Sequence, residues 1–276
     1  MDGTAKSLLL FTKDLISQYK MKKLAYIYFG QVKNYNRIQH DQFSTNVLPG
    51  LKNFDVDFFL TTTPAEKYVS PRQGEDGAIN YKSINNFINF KKIYYDDILS
   101  KQKEFEDFAN SLLKKFRFRA WKSFSLPSTI NSLKQLYSLN YFYDQFKDIA
   151  TEYEYFIVAR SDLFFLTKLS LPQLNSHSIY LPDWGHYKDG CNDRYAVITS
   201  LDILKIYCCR YNFLRNNPAP YHAESYLRKC LKKNGVKFKQ FKNFKFRLLR
   251  SCNHVSTEGG GYPDKALTKK FYNINL

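Results

Sequence analysis

Leu24-Ala25-Tyr26-Ile27-Tyr28-Phe29, closed by Gly30, decides how the chain is read. An unbroken apolar run ending on a glycine is the pattern of a strand buried on both faces, as in a parallel sheet. Val56-Asp57-Phe58-Phe59-Leu60, stopped by Thr61-Thr62-Thr63, reads the same way, and Phe43 and Val47 mark a helix between them that ends at Pro49-Gly50. Together these make a β-α-β unit. Tyr155-Phe156-Ile157-Val158-Ala159 is a third buried strand, and it runs directly into Arg160-Ser161-Asp162.

The remaining segments fit around these three. Residues 64–90 are rich in Pro, Gly, Asn and Ser and predict a long loop, a candidate lid. Phe105, Phe108, Leu112 and Phe116 predict a helix over 103–116, and Leu136, Leu139, Tyr143, Phe146 and Ile149 predict another over 132–150. Ile179-Tyr180-Leu181 is a short strand, followed by a loop from Pro182 to Asp193. Helices are expected near 200–211 and 222–233, and short strands at 236–241 and 244–249. Residues 1–20 read as an N-terminal arm or helix, and 255–276, with Gly259-Gly260-Gly261, as a polar tail. No repeat and no linker divides the chain. The expectation is one α/β domain over 1–276, with a mostly parallel central sheet and helices on both faces.

Composition narrows the classes. At 44% hydrophobic residues the chain is not disordered, and 17% aromatic residues predict a Tyr- and Phe-rich core. The formal net charge of +17 suits either a polyanionic partner or a lysine-rich solubilising surface. Its densest stretch is 228–250. The five cysteines, Cys191, Cys208, Cys209, Cys230 and Cys252, show no metal-ligand spacing and read as reduced thiols. No apolar run approaches the ~20 residues of a membrane span. A soluble, cytoplasmic protein is therefore expected.

In open α/β sheets ligands bind beyond the carboxyl ends of the strands. Three such ends carry candidates. In Gly30-Gln31-Val32-Lys33-Asn34-Tyr35 the glycine admits close backbone approach, Lys33 suits a phosphate and Tyr35 could stack on a base; an ordinary turn is the other reading. Thr62, in the threonine run after the second strand, joins them as a nucleotide contact. In Arg160-Ser161-Asp162 a carboxylate at a buried strand end suits a divalent metal, Mn²⁺ or Mg²⁺, bridging a diphosphate. A simple Arg-Asp pair closing the strand is the alternative.

The third end is Asp183-Trp184-Gly185-His186-Tyr187-Lys188-Asp189-Gly190-Cys191-Asn192-Asp193-Arg194. Trp184 would pack on a sugar face, Asp183 and Asn192 would bond hydroxyls, and Asp193 could serve as general base. Alternatively Asn192 or Asp193 caps a following helix. Glu224 is a second candidate base, or a first-turn acid favoured by the helix dipole. His254 is a candidate metal or phosphate contact, or simply an exposed histidine.

Gly30-Gln31-x-Lys33-x-Tyr35 is followed in order by Asp55-Val56-Asp57-Phe58-Phe59-Leu60-Thr61-Thr62 and Ser132-Leu133-Lys134-Gln135-Leu136-Tyr137-Ser138-Leu139. Tyr155–Phe165, Gly190-Cys191-Asn192-Asp193-Arg194-Tyr195-Ala196 and His222-Ala223-Glu224-Ser225-Tyr226-Leu227 complete the series. The series resembles small GT-A-like glycosyltransferases of bacteria, algae and large algal viruses such as chloroviruses, over roughly residues 22–250. The resemblance implies a nucleotide-sugar donor, a glycan or glycoprotein acceptor and commonly a divalent metal. It matches Asp162 to the metal-associated aspartate, and it sets Arg160 where the first carboxylate of an Asp-x-Asp motif would stand. Asn192 and Asp193 match a segment facing sugar or acceptor, Glu224 a later acid, and Lys33 a position often held by arginine. If the source is viral, the acceptor would be a capsid glycan, the donor a UDP- or GDP-sugar such as UDP-xylose, and the location the host cytoplasm. A basic nucleic-acid-binding protein is the alternative class, suggested by charge and by interleaved Lys and Phe at 237–250; it leaves the acid-bearing loop unexplained, so no nucleic-acid partner is expected.

Overall fold

The computed structural model describes residues 21–70, 75–116, 125–185, 189–219, 221–250, 253–257 and 264–273, with the side chains of 68–70 and 75–76 excepted. The expected arm at 1–20 and the glycine run at 259–261 lie outside the described residues.

The central sheet has seven strands: β1 (Lys22–Phe29), β2 (Phe54–Thr62), β5 (Lys92–Tyr95), β6 (Tyr155–Arg160), β8 (Ile179–Pro182), β9 (Tyr195–Ile198) and β10 (Phe238–Phe241). Their order is β10-β8-β9-β6-β1-β2-β5. β1 pairs in parallel with both β2 and β6, β2 with β5, and β8 with β10. β9 alone runs antiparallel, to β6 and to β8. The α/β class and mostly parallel sheet expected from the buried runs are what the chain forms.

β1 explains why. Leu24, Tyr26 and Tyr28 face one side, Ala25, Ile27 and Phe29 the other, and all six are buried. Only a strand covered on both faces needs such a run. The Ala25 face packs against α3 (Leu126–Phe146), α4 (Leu201–Cys208) and α6 (Ala223–Lys233), through Leu139, Phe142, Ile203, Leu204 and Leu227. The Tyr26 face is covered by α1 (Arg37–Asn46), through Phe43, and by a two-stranded antiparallel ribbon of β7 (Leu163–Phe165) and β11 (Phe246–Leu248). One side is thus helical and the other only partly so.

Several boundaries differ from expectation. The predicted loop at 64–90 contains the hairpin β3 (Lys67–Ser70) and β4 (Glu75–Ala78) and a short 3-10 turn, Ser83–Asn86. α2 (Gln102–Lys115) matches its prediction, while α3 begins six residues earlier than the predicted 132, where the Ser125 side chain accepts from Ser128 N–H. The helix expected over 200–211 divides into α4 and α5 (Arg210–Asn216). The expected polar tail carries a helix, α7 (Lys265–Tyr272), capped by Asp264, whose Phe271 ring lies 4.9 Å from Phe164. Leu267 and Phe271, four apart, give that helix an apolar stripe.

Candidate anion site at the carboxyl edge of the sheet

The chain goes from β1 to β2 and β5 on one side, then returns to place β6 on the other side of β1. The carboxyl ends of β1 and β6 therefore form a topological switch point, where a crevice opens between diverging loops. A pocket of about 270 Å³ lies there, near the lower bound of ligand pockets. The β1 end supplies Gly30, Gln31 and Lys33; the β6 end supplies Arg160, Ser161 and Asp162. Thr63 and Lys67 come from beyond β2, Ile98 and Leu99 from beyond β5, and Asn131, Lys134 and Gln135 from α3.

Backbone geometry fixes the two loops. Gly30 has φ +91°, a region open to glycine and strained for other residues. Ser161 N–H donates to Phe29 O at 2.9 Å, and its hydroxyl reaches Gly30 O and Gln31 O at 3.3 and 3.2 Å. Gln39, buried on α1, donates its amide to Ser161 O and Leu163 O, both at 3.0 Å. Leu249 N–H holds Asp162 O at 2.8 Å. The Arg160–Leu163 segment is thus tied to three neighbouring elements.

Asp162 is 5% exposed, and both its oxygens accept from Arg160: Nε at 2.8 Å and Nη2 at 2.6 Å. Burial would push its carboxyl up; Arg160, by charge and hydrogen bond, and then Lys33 and Arg250 outweigh that and hold it below the usual carboxylate range. The pocket wall therefore carries Lys33, Lys67, Lys134 and Arg160 against this single carboxylate. Such a wall attracts anions. Lys33 is itself largely buried at the pocket. Lys134 donates to Gln102 Oε1 at 2.6 Å, and burial lowers its ammonium pKa despite the opposing pull of Glu106 and Asp96.

The donor set does not fit the expected divalent metal. A guanidinium occupies both oxygens of the one carboxylate in the pocket. The other expected ligand, His254, is half-buried and supplies its carbonyl to Arg250 N–H at 2.9 Å. Among the described residues no cluster of three or more His, Cys, Asp or Glu side chains is arranged to hold a metal ion.

Of the expected nucleotide contacts, Gly30, Gln31, Lys33 and Arg160 are brought together at this pocket; Tyr35 and Thr62 are not. Tyr35 is 4% exposed and packed against His40 and Phe87, so its ring has no face for a base. Thr62 is fully buried, its hydroxyl within 3.4 Å of Val32 N–H; Thr63 faces the pocket instead, its hydroxyl donating to Asp96 Oδ1 at 2.8 Å.

The third expected group lies along the same edge, beyond β8 and β9. Trp184 is buried: its indole N–H donates to Phe244 O at 2.6 Å, Phe246 lies 4.7 Å away, and Lys245 and Arg247 sit over the ring. Asn192 is fully buried, giving its amide to Trp184 O at 2.8 Å and accepting from Arg194 N–H at 3.0 Å. Both brace the loop and neither faces a sugar. Asn192 and Asp193 do not cap a helix either, because strand β9 follows them and Ser200 caps α4. Glu224, in the first turn of α6, is buried and ion-paired with Arg194 at 3.0 Å, and Arg194 also bonds Gly185 O. In this structure the Glu224 carboxylate braces Arg194. Asp193 is half-exposed, and Asp183 Oδ1 is buried without a hydrogen-bond partner among the described residues. The two groups are adjacent: Arg160 N–H donates to Arg194 O at 3.0 Å. His186, Tyr187 and Lys188 lie outside the described residues.

Thr63 belongs to the threonine run, Thr61 to Thr63, expected to hold the nucleotide, and it lines the pocket; Gln39, Asp96, Asn131, Lys134 and Gln135 had no place in the sequence-based site. Only the last three left a signal, their i, i+3, i+4 spacing on one face of α3. Among the described residues no helix is long and apolar enough to cross a membrane. Compared with family models and with curated proteins, the chain matches none.

Proposed function

We propose that the chain is a glycosyltransferase of GT-A type, moving a sugar from a nucleoside diphosphate donor to a hydroxyl of a glycan acceptor. The observation that carries this reading is the electropositive pocket at the β1/β6 switch point, where strand-end loops, a positive-φ glycine and four basic side chains converge. Open parallel sheets bind nucleotides at that place.

In this reading the diphosphate lies against Lys33 and Arg160. The acceptor oxygen attacks the anomeric carbon as the bond to the diphosphate oxygen breaks. The leaving nucleoside diphosphate gains charge, and fixed cations stabilise that charge more than they stabilise the ground state. The acceptor proton goes to a carboxylate of the loop before β9, for which Asp193 is the half-exposed candidate; it adjoins Arg194, whose carbonyl accepts from Arg160 N–H at 3.0 Å. Ile98 and Leu99 offer an apolar rim for a flat ring, and Asn131 and Gln135 offer amides for its polar edge.

A thermal-shift screen against UDP- and GDP-sugars tests the proposal, followed by donor hydrolysis and transfer assays. Stabilisation by one nucleotide class is expected; a flat screen removes the reading. The second reading, nucleic-acid binding, has one observation in its favour. Lys229, Lys232 and Lys233 on α6, and Lys237, Lys239 and Lys242 around β10, are all exposed. It predicts stabilisation by oligonucleotides alone, lost steeply with salt.

A further inference from the structure

We infer that the pocket grips its diphosphate with Arg160, Lys33 and Lys134 directly, without a bridging divalent cation, and that Asp162 is a positioning residue that aims Arg160. The inference rests on the proposed function for the identity of the diphosphate, and it departs from the metal that the sequence resemblance implies.

Three observations lead to it. First, the Arg160–Asp162 pair is a two-pronged fork, Nε and Nη2 on the two carboxylate oxygens at 2.8 and 2.6 Å. That geometry fixes the plane of the guanidinium as well as its position. It also occupies the oxygens a metal would need. Second, the backbone that carries the pair is held in place. Gln39 binds the carbonyls of Ser161 and Leu163, and Leu249 binds that of Asp162. Third, Lys33 and Arg250 join Arg160 as the charges that act on Asp162. A divalent cation displacing the guanidinium would sit beside three positive side chains, in a mostly buried site where screening is weak. The same surroundings favour an anion.

Arginine at this place turns a metal-dependent design into a salt-dependent one. The ligand's charge is met by a planar donor that remains protonated throughout the physiological range. Lys33 and Lys134 act as point charges on either side, one from the β1 loop and one from α3.

Isothermal titration of the full chain with inorganic pyrophosphate, UDP and GDP tests this, each in EDTA and again with Mn²⁺ or Mg²⁺. Arg160→Gln would strand a buried carboxylate and lower stability, so Lys33→Gln and Lys134→Gln carry the comparison, with circular dichroism confirming the fold. Pyrophosphate is expected to bind in EDTA, and Lys33→Gln to weaken it about tenfold or more, the worth of one hydrogen bond to a charged group. Pyrophosphate binding in EDTA with no gain from any nucleoside keeps the metal-free grip and sinks the nucleotide-sugar reading. Nucleoside diphosphate binding that appears only with metal overturns the grip and keeps that reading. No binding under either condition ends both.

Discussion

Asp162→Asn separates an anchoring carboxylate from a metal ligand, because the structure fixes what each role loses. The substitution preserves size and removes a negative charge on which Arg160, Lys33 and Arg250 act. The Asp162 side chain is 5% exposed and that of Arg160 18%, so solvent offers little replacement. Two unit charges about 4 Å apart attract by about 4 kcal/mol at an effective dielectric near 20. Breaking a buried pair by removing one partner costs about 3–5 kcal/mol in measured cases. For a chain of 276 residues, unfolding entropy of about 2.1 cal/mol/K per residue converts that into a fall in Tm of about 5–9 °C. The variant also removes the carboxylate that aims the Arg160 guanidinium, so added pyrophosphate should raise its Tm by less than it raises that of the wild type. Differential scanning fluorimetry in EDTA, with and without pyrophosphate, reads both quantities. A Tm within a degree of wild type, or a pyrophosphate gain in the variant as large as that of the wild type, would refute the reasoning.

Three further outcomes are expected. Gly30→Ala forces a Cβ into φ +91°, and although no atom lies within 4 Å of that Cβ, backbone strain should cost about 1–3 kcal/mol and weaken pyrophosphate binding; an unchanged Tm would contradict it. Glu224→Gln should lower stability by about 2–3 kcal/mol while leaving pyrophosphate affinity unchanged. Loss of transfer with an intact Tm would instead make Glu224 the base. Asp96 is buried, and burial raises its carboxyl above 3.8 despite its hydrogen bonds. Protonated Asp96 thus contributes stability that is fully present below pH 3.8 and lost as pH rises through its higher folded value. Asp96→Asn keeps an acceptor for Thr63 and does not titrate, so its Tm advantage over wild type should grow from pH 4 to pH 8; a constant difference would sink the assignment.

The parts of the fold that were legible in the sequence were those whose burial is two-sided. β1 and β6 announce themselves because their runs 24–29 and 155–159 are buried on both faces, whereas β2, which carries Asp55 and Asp57 in its less buried first half, shows through Phe58-Phe59-Leu60. β5 and β9, four residues each, were missed, although β8 and β10, equally short, were legible. Missing β9 had a consequence: Asn192 and Asp193 were read as standing before a helix. The break between α4 and α5 at Cys209 has no glycine or proline to mark it. The C-terminal helix did leave a signal, the Asp264 cap followed by Leu267 and Phe271, inside a segment that composition had dismissed as polar.

The site was legible where chemistry and strand ends coincide. Gly30, Gln31, Lys33, Arg160 and Asp162 follow buried strands directly and line one pocket. Tyr35, Trp184 and Asn192 looked equally suited to a ligand, but an aromatic ring or an amide at a strand end serves packing and loop bracing just as well. The role of Asp162 depended on a distance no sequence contains. Two residues after Arg160 its carboxylate could face a cation from solvent or a guanidinium from its own strand, and the guanidinium holds it.

The central claim is that the cleft beyond β1 and β6 holds a sugar nucleotide. A crystal structure of the chain grown with the best nucleotide sugar from the screen tests it most directly. The account predicts diphosphate oxygens within hydrogen-bond distance of Lys33 Nζ and the Arg160 guanidinium, with Asp162 still on Arg160. A nucleotide found elsewhere on the molecule, or an Asp162 that has left Arg160 to coordinate a metal, would contradict it.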